Sequence, residues 1–129
     1  MARLEIEGLC KGWDFPVIDR MDLTVEEGEF FVVVGPSGIG KTTLLRLIAG
    51  LESPNEGRII LGGNDISRLP PYKRAVAMTF ESYALYPHLS VFENIASPLR
   101  ARRLPKAEIE QRVKDVARLL KIDQLLTRR

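Results

Sequence analysis

The stretch "GPSGIGKTT" at residues 35–43 constrains the fold more than any other feature of this chain. Its glycines, lysine and threonines fit the pattern G-x-x-x-x-G-K-[ST]. Glycines let successive backbone N–H groups turn toward an anion, and a helix that follows presents the positive end of its dipole to the same point. The pattern therefore predicts a buried strand, a phosphate-binding loop and a helix, in that order.

The residue types in this loop predict its ligand. Lys41 supplies a mobile positive charge that reaches β- and γ-phosphates, and the Thr42 hydroxyl is a hard oxygen ligand for Mg²⁺. The structural alternative is a glycine-rich turn that only joins a strand to a helix. Because an apolar run precedes the loop and a helical pattern follows it, the sequence favours a site for a Mg-nucleoside triphosphate.

The first half of the chain reads as short strands separated by turns. Residues 3–9 and 21–25 alternate apolar and polar side chains, and "RIIL" at 58–61 is a further strand. The continuous apolar runs "FFVVV" at 30–34 and "AVAMTF" at 75–80 predict strands buried on both faces. The residues after the loop predict a helix that ends at Gly50.

The second half reads as helical. Ser90 and Glu93 have the spacing of a capping box, Pro98 is expected to end or kink the first helix, and Pro105 to open the next. In that next helix, apolar residues recur on one face. They are Ile109, Val113, Val116 and Leu120. We therefore predict two lobes, at 1–89 and 90–129, with a hinge near 81–90.

Composition excludes several classes of protein. The 19 basic and 17 acidic residues are mixed along the chain, so charge gives no argument for nucleic acid, and the basic cluster at 100–106 is read as a solvated helix end. The single cysteine, Cys10, cannot form an internal disulfide, which suits a reducing compartment. No apolar run approaches the roughly 20 residues of a spanning helix.

The longer stretch "GPSGIGKTTLLRLIAGLESPNEGRIILGGNDI", together with "ESYALYPHLSVFENI" at 81–95, resembles the nucleotide-binding domain of ATP-binding cassette (ABC) transporters. The sequence of these stretches is most similar to the ATPase subunits of sugar-type importers, such as those for maltose or glycerol 3-phosphate. The resemblance implies an α/β P-loop fold of ABC type in incomplete form. An antiparallel β subdomain and part of the nucleotide-binding core would come first, followed by the start of a helical subdomain.

The resemblance assigns site residues position by position. Trp13 matches the aromatic that stacks on adenine, against the alternative of a tryptophan covering the edge of the first strands. Thr42 and Glu81 match metal-facing positions, and Lys41 and Glu81 match positions with catalytic roles. The implied nucleotide contacts are Trp13, Gly35, Pro36, Ser37, Gly38, Ile39, Gly40, Lys41, Thr42 and Thr43.

Two departures from the family bear on catalysis. Position 81 is Glu where the family has Gln, so a negative charge is added near Mg²⁺ and the γ-phosphate, with opposite effects on the two. The family's "LSGGQ" signature, its acidic strand with the catalytic Glu and its switch histidine do not occur in these residues, and His88 is not that histidine. The resemblance thus implies a fragment that binds ATP and Mg²⁺ without hydrolysing ATP, while ATPase activity in a longer protein stays open.

Three functions are compatible with these residues. The first is the ATP-binding subunit of a solute importer, which would contact a membrane-embedded permease through 83–88 and pair with a second nucleotide-binding domain. The second is a non-catalytic nucleotide-binding module, regulatory or decayed, and the third is a small P-loop kinase. The alternative for the aromatic residues at 83–88 is that they only fill the junction between the two lobes. The importer reading implies a cytoplasmic protein, peripheral on the inner face of the cell membrane.

Overall fold

The structure is a computed structural model that describes residues 2–36 and 40–129. By its internal contacts the chain divides into two compact units, unit 1 over Met1–Thr79 and unit 2 over Phe80–Arg129. Each is described on its own below.

Unit 1 is built on a four-stranded antiparallel sheet. Its strands are β1 (Leu4–Gly12), β2 (Pro16–Val25), β3 (Glu56–Leu61) and β4 (Asn64–Asp65), in the order β2-β1-β3-β4. Ile6 of β1 lies opposite Leu23 of β2 on one side and Ile59 of β3 on the other. The strands predicted near 3–9, 21–25 and 58–61 are therefore confirmed.

Helix α1 (Lys41–Ala49) packs its apolar face against unit 1's core. Leu44 and Leu47 are buried there with strand residues, since their spacing places both on one face of the helix. Gly50 ends the helix in the left-handed conformation at φ 88° and donates its N–H to the carbonyls of Arg46 and Leu47. This is the predicted glycine stop. The buried core of unit 1 comprises Ile6, Leu9, Ile18, Leu44, Leu47, Ile59 and Ile66.

The two strands predicted from continuous apolar runs are wrong. Residues 30–34 and 75–80 are irregular, and Phe30 and Val34 are exposed. A strand needs a neighbour to satisfy its backbone hydrogen bonds. Within residues 2–36 and 40–129 no strand pairs with either run, so the high β-propensity of Phe and Val is not sufficient to produce one. A short 3₁₀ turn at Pro71–Lys73 precedes the second run.

Unit 2 is helical, with α2 (Val91–Ala101), α3 (Lys106–Leu119) and a 3₁₀ turn at Asp123–Leu125. The Ser90 hydroxyl accepts a hydrogen bond from the Glu93 N–H at 3.1 Å, which confirms the cap. Pro98 lies inside α2 and does not end it. The core between the helices contains Ala96, Ile109 and Val113.

The predicted buried face of α3 is partly wrong. Ile109 and Val113 are buried as expected, but Val116 and Leu120 are exposed, and Ala117 is buried instead. The buried row follows a strict i, i+4 spacing along the helix, which leaves the i+3 position of Val116 at the edge of the contact.

Candidate functional site

The phosphate-loop end of α1 depends on the backbone conformation of Gly40. This residue caps the helix at φ 101° and ψ 8°, and its carbonyl accepts the first helical hydrogen bond from the Leu44 N–H at 2.9 Å. A Cβ built on Gly40 would lie 2.9 Å from Val17 Cγ1. Two features therefore require glycine at position 40: the left-handed backbone and the close approach of β2.

The Lys41 side chain reaches back to Gly35, the first residue of the loop. Its ammonium donates a hydrogen bond to the Gly35 carbonyl. Pro36 is exposed and irregular. The predicted contacts Ser37, Gly38 and Ile39 lie outside the described residues.

An open cleft brings the first helical turn together with the connection between β1 and β2. Its volume is about 460 Å³. Trp13, which sequence reasoning selected, is 61% exposed and forms one part of the wall. Phe15 and Val17 also line the cleft, and sequence reasoning missed both. The remaining lining residues are Gly40, Lys41, Thr42 and Thr43.

The connection that carries Trp13 is held by Asn55, which lies in the turn before β3. The Gly12 N–H donates to Asn55 Oδ1 at 2.8 Å, and the Asn55 N–H donates to the Cys10 carbonyl at 2.8 Å. This reciprocal pair of bonds fixes the end of β1 to the segment that follows α1. The only sequence signal for it was an asparagine in a turn, a residue type that hydrogen-bonds backbone groups.

The other end of α1 is held by Arg74, which sequence reasoning also missed. Arg74 is 6% exposed, the one charged residue buried among those described. Its guanidinium donates to four carbonyls, those of Leu47 at 2.8 Å, Ile48 at 3.2 Å, Leu69 at 2.9 Å and Ser67 at 3.2 Å. Burial lowers the pKa of Arg74 from its usual value. A cation at this point complements the negative end of the helix that carries the loop.

Glu81 belongs to unit 2, where it is exposed at the start of a turn. The Tyr83 N–H closes that turn on the Phe80 carbonyl at 3.1 Å, and Tyr83 and Ala84 both have positive φ. The predicted metal-facing role of Glu81 stays a prediction.

The aromatic segment at 83–88 is organised by Asn94 of α2. Its side chain accepts from the Tyr86 N–H at 2.8 Å and donates to the carbonyls of Tyr86, Leu89 and Ser90. The Tyr86 and His88 rings meet edge to face with centroids 6.2 Å apart. Tyr83 and Leu85 remain 74% and 70% exposed. The backbone of the segment is therefore fixed while its apolar side chains face outward.

No group of three His, Cys, Asp or Glu side chains suited to a metal occurs within residues 2–36 and 40–129. In the same residues no helix has both the length and the apolar character needed to cross a membrane.

Comparison with known proteins decides the family. The model of the family described as ABC transporter matches residues 18–129. The chain belongs to the ABC transporter family. The resemblance seen in the loop and in the segment at 81–95 is thereby confirmed.

Relatives in the ABC transporter family extend this result over the whole chain. The chain is 47% identical over 131 aligned residues to the sn-glycerol-3-phosphate import ATP-binding protein UgpC of Bordetella avium, and 48% identical to the protein of the same name from Escherichia coli O157:H7. It is 47% identical over 126 residues to the spermidine/putrescine import ATP-binding protein PotA of Legionella pneumophila. These alignments cover 97–100% of this chain but only 35–37% of the relatives. The chain thus spans about a third of their length.

Solved structures agree with the assignment to the ABC transporter family. An ATP-binding cassette of an ABC transporter superimposes with a TM-score of 0.83 at 27% identity, covering all of this chain and 58% of the other. A nucleotide-free ATP-binding cassette gives a TM-score of 0.81 at 26% identity, covering 99% of this chain and 57% of the other. The predicted α/β fold of ABC type, present in part, is confirmed.

Proposed function

We propose that this chain is the ATP-binding part of an ABC importer subunit and that Mg-ATP occupies the cleft between Trp13 and the start of α1. One observation carries the proposal: Trp13 and Phe15, the aromatic wall, line the same cleft as the first turn of α1, which follows the phosphate loop. Relatives that align over 97–100% of this chain are named as sn-glycerol-3-phosphate or spermidine/putrescine import ATP-binding proteins. We propose a sugar or a related small solute as the cargo.

Phosphate binding is proposed at the N-terminus of α1. The N–H groups of the first helical turn have no partner inside a helix and carry the positive end of its dipole, so they suit an anion. The Lys41 ammonium, which contacts the Gly35 carbonyl, would exchange that neutral acceptor for phosphate oxygens. A bond to a charged acceptor is stronger than one to a carbonyl, which favours the exchange.

Base binding is proposed at the aromatic wall. Trp13 presents a flat, largely exposed ring, and the neighbouring Phe15 and Val17 give the wall an apolar character. Stacking of a base on an aromatic side chain contributes about 1–3 kcal/mol and discriminates little between bases. Specificity for adenine would therefore depend on other contacts.

The residues at the cleft fit Mg²⁺ delivered with a nucleotide. Thr42 is exposed at the cleft and offers one hydroxyl. The metal-facing role of Glu81, which belongs to unit 2, is proposed from its position in the family motif alone. Mg²⁺ in such sites is held by one or two protein oxygens, phosphates and water, so a cluster of carboxylates is not required. When bound, the ion would neutralise negative charge on the β- and γ-phosphates.

We propose that these 129 residues bind ATP without hydrolysing it. Lys41 stabilises phosphate charge, but a residue that orients water is also needed, and Glu81 brings a carboxylate to a position where the family has an amide. The second candidate function, a non-catalytic nucleotide-binding module, is favoured by the same residue. Measuring the ATPase activity of a longer protein would distinguish the importer subunit from the non-catalytic module.

The exposed aromatic segment is proposed as the contact with a membrane-embedded permease. Asn94 fixes the backbone of the segment, while Tyr83, Leu85 and Tyr86 face outward with more than half of their surface accessible. Amphipathic aromatics on a fixed backbone suit a protein interface. The importer proposal also places the protein on the cytoplasmic face of the cell membrane, paired with a second nucleotide-binding domain.

The test of the proposed function is calorimetric titration of the chain with Mg-ATP. Lys41→Ala removes the charge at the phosphates and is expected to abolish most of the affinity. Lys73→Ala, which removes an exposed lysine near Tyr72 in the same unit, is the matched control and should bind like the unchanged chain. Equal affinity in the unchanged chain and Lys41→Ala would refute the proposal.

A further inference from the structure

We propose that Lys11 is a positioning residue for the nucleotide site, because it holds the Trp13 indole from one side and leaves the opposite face open to the base. The inference rests on the proposed function for the role of Trp13. The contact between Lys11 and Trp13 stands on the geometry alone.

The Lys11 side chain is unusually confined for a lysine. Its ammonium lies 5.1 Å from the centroid of the Trp13 ring, within the range of a cation–π interaction. It is also 3.8 Å from Glu52 Oε2, and the lysine side chain is only 11% exposed. Lys11 thus joins the indole to a carboxylate on the segment that follows α1.

Among the described residues, Trp13 lines two clefts that differ in their other lining residues. One cleft is lined by Trp13 together with Lys11 and Asn55. The other is lined by Trp13 together with the first turn of α1. Lys11 lines the first cleft but not the second. We therefore take the cleft beside α1 as the side from which a base would reach the ring.

This arrangement lowers the cost of ordering the ring when a base stacks on it. Trp13 is 61% exposed, so its side chain has room to change rotamer, and immobilising a side chain on binding weakens affinity. Lys11 and Glu52 hold the ring before a ligand arrives. Asn55 holds the backbone beside it, through the bond from Gly12. Glu52 and Asn55 both lie between α1 and β3, so the segment that follows the phosphate-loop helix supports the connection that carries Trp13.

The first experiment measures the ring itself, without ligand. Trp13 is the only tryptophan of the chain, so its fluorescence reports this site alone. In Lys11→Met, which keeps most of the length of the side chain and removes the charge, we expect lower fluorescence anisotropy and stronger acrylamide quenching. Lys11→Arg should restore both values, because arginine also binds aromatic faces. Lys73→Met is the matched control, since it removes the cation 6.0 Å from the Tyr72 ring, outside this cleft.

The second experiment separates the base from the phosphates. Lys11→Met should weaken Mg-ATP binding roughly three- to fivefold by calorimetry, the ratio that corresponds to one cation–π contact. Affinity for inorganic tripolyphosphate with Mg²⁺ should stay unchanged, since this probe has no base. If Lys11→Met does not fold, Glu52→Gln releases the same ammonium and should shift both Trp13 signals in the same direction.

The outcomes are distinguishable. Unchanged anisotropy and quenching in both Lys11→Met and Glu52→Gln would overturn the inference. Equal losses for Mg-ATP and tripolyphosphate would also overturn it, because Lys11 would then act as a general positive charge. Absence of Mg-ATP binding to the unchanged chain would instead refute the proposed function, and the ligand-free Trp13 signals would still decide whether Lys11 holds the ring.

Discussion

Arg74 offers the sharpest test of how unit 1 holds its phosphate-loop helix. Arg74→Met keeps most of the apolar stem of the side chain and removes the guanidinium. Four carbonyls then lose a hydrogen bond from the guanidinium, and that of Leu47, in the buried part of the site, keeps only its bond from the Gly50 N–H at 3.2 Å. The expected effect is loss of stability in unit 1.

The magnitude follows from the contacts. A hydrogen bond from a charged donor contributes about 1.5–3 kcal/mol, and loss of the cation at the end of α1 adds roughly 0.5 kcal/mol. The carbonyls of Ile48, Leu69 and Ser67 are only partly buried, so water replaces much of what they lose. Removing the cost of burying a charge offsets part of the total. We expect a net destabilisation of about 3 kcal/mol.

The assay is urea unfolding followed by the fluorescence of Trp13, which lies in unit 1. A loss of about 3 kcal/mol should lower the urea midpoint by roughly 2 M at the usual slope for a small protein. Arg58→Met is the matched control: Arg58 pairs with Glu7 at the exposed surface and should cost less than about 1 kcal/mol. Equal midpoints for Arg74→Met and Arg58→Met would refute the reasoning.

Three further predictions concern the loop, acid stability and catalysis. Gly40→Ala forces a Cβ into a left-handed backbone 2.9 Å from Val17 Cγ1 and should destabilise unit 1 by about 1–2 kcal/mol in the same urea assay. Hydrogen bonds from the Ser67 side chain and N–H lower the pKa of Asp65 below 3.8, so the stability from its ionised form is present above that pH and is lost as pH falls through the lowered pKa. Asp65→Asn should therefore make unfolding less sensitive to pH in that acidic range, as pH-dependent urea titrations would show. In a longer protein that hydrolyses ATP, Glu81→Gln should raise turnover and shift the Mg²⁺ concentration for half-maximal activity, and unchanged values would place residue 81 away from the metal.

The elements that the sequence predicted well are those determined by local chemistry. The glycine stop of α1 at Gly50 and the serine cap of α2 at Ser90 both depend on residues next to the helix ends. The alternating strands were recognisable because one face of the sheet is buried. The phosphate-binding loop before α1 stays a prediction, since Ser37, Gly38 and Ile39 lie outside the described residues.

The features that the sequence could not predict depend on distant partners. The run at 30–34 has strong β-propensity, yet it forms no strand where no neighbour pairs with it in the described residues. Nothing in "PPYKRA" distinguishes Arg74 from a surface arginine, and only the fold brings the end of α1 to it. Lys11 likewise resembled any strand lysine until the fold placed Trp13 and Glu52 beside it.

The central claim is that a nucleotide bridges Trp13 and the start of α1. The most direct measurement is titration of the chain with Mg-ATP while the fluorescence of Trp13 is recorded. The account predicts a saturable change in emission whose dissociation constant equals the calorimetric value and which is absent in Lys41→Ala. Calorimetric binding with no response from Trp13 would contradict it, because the base would then lie elsewhere.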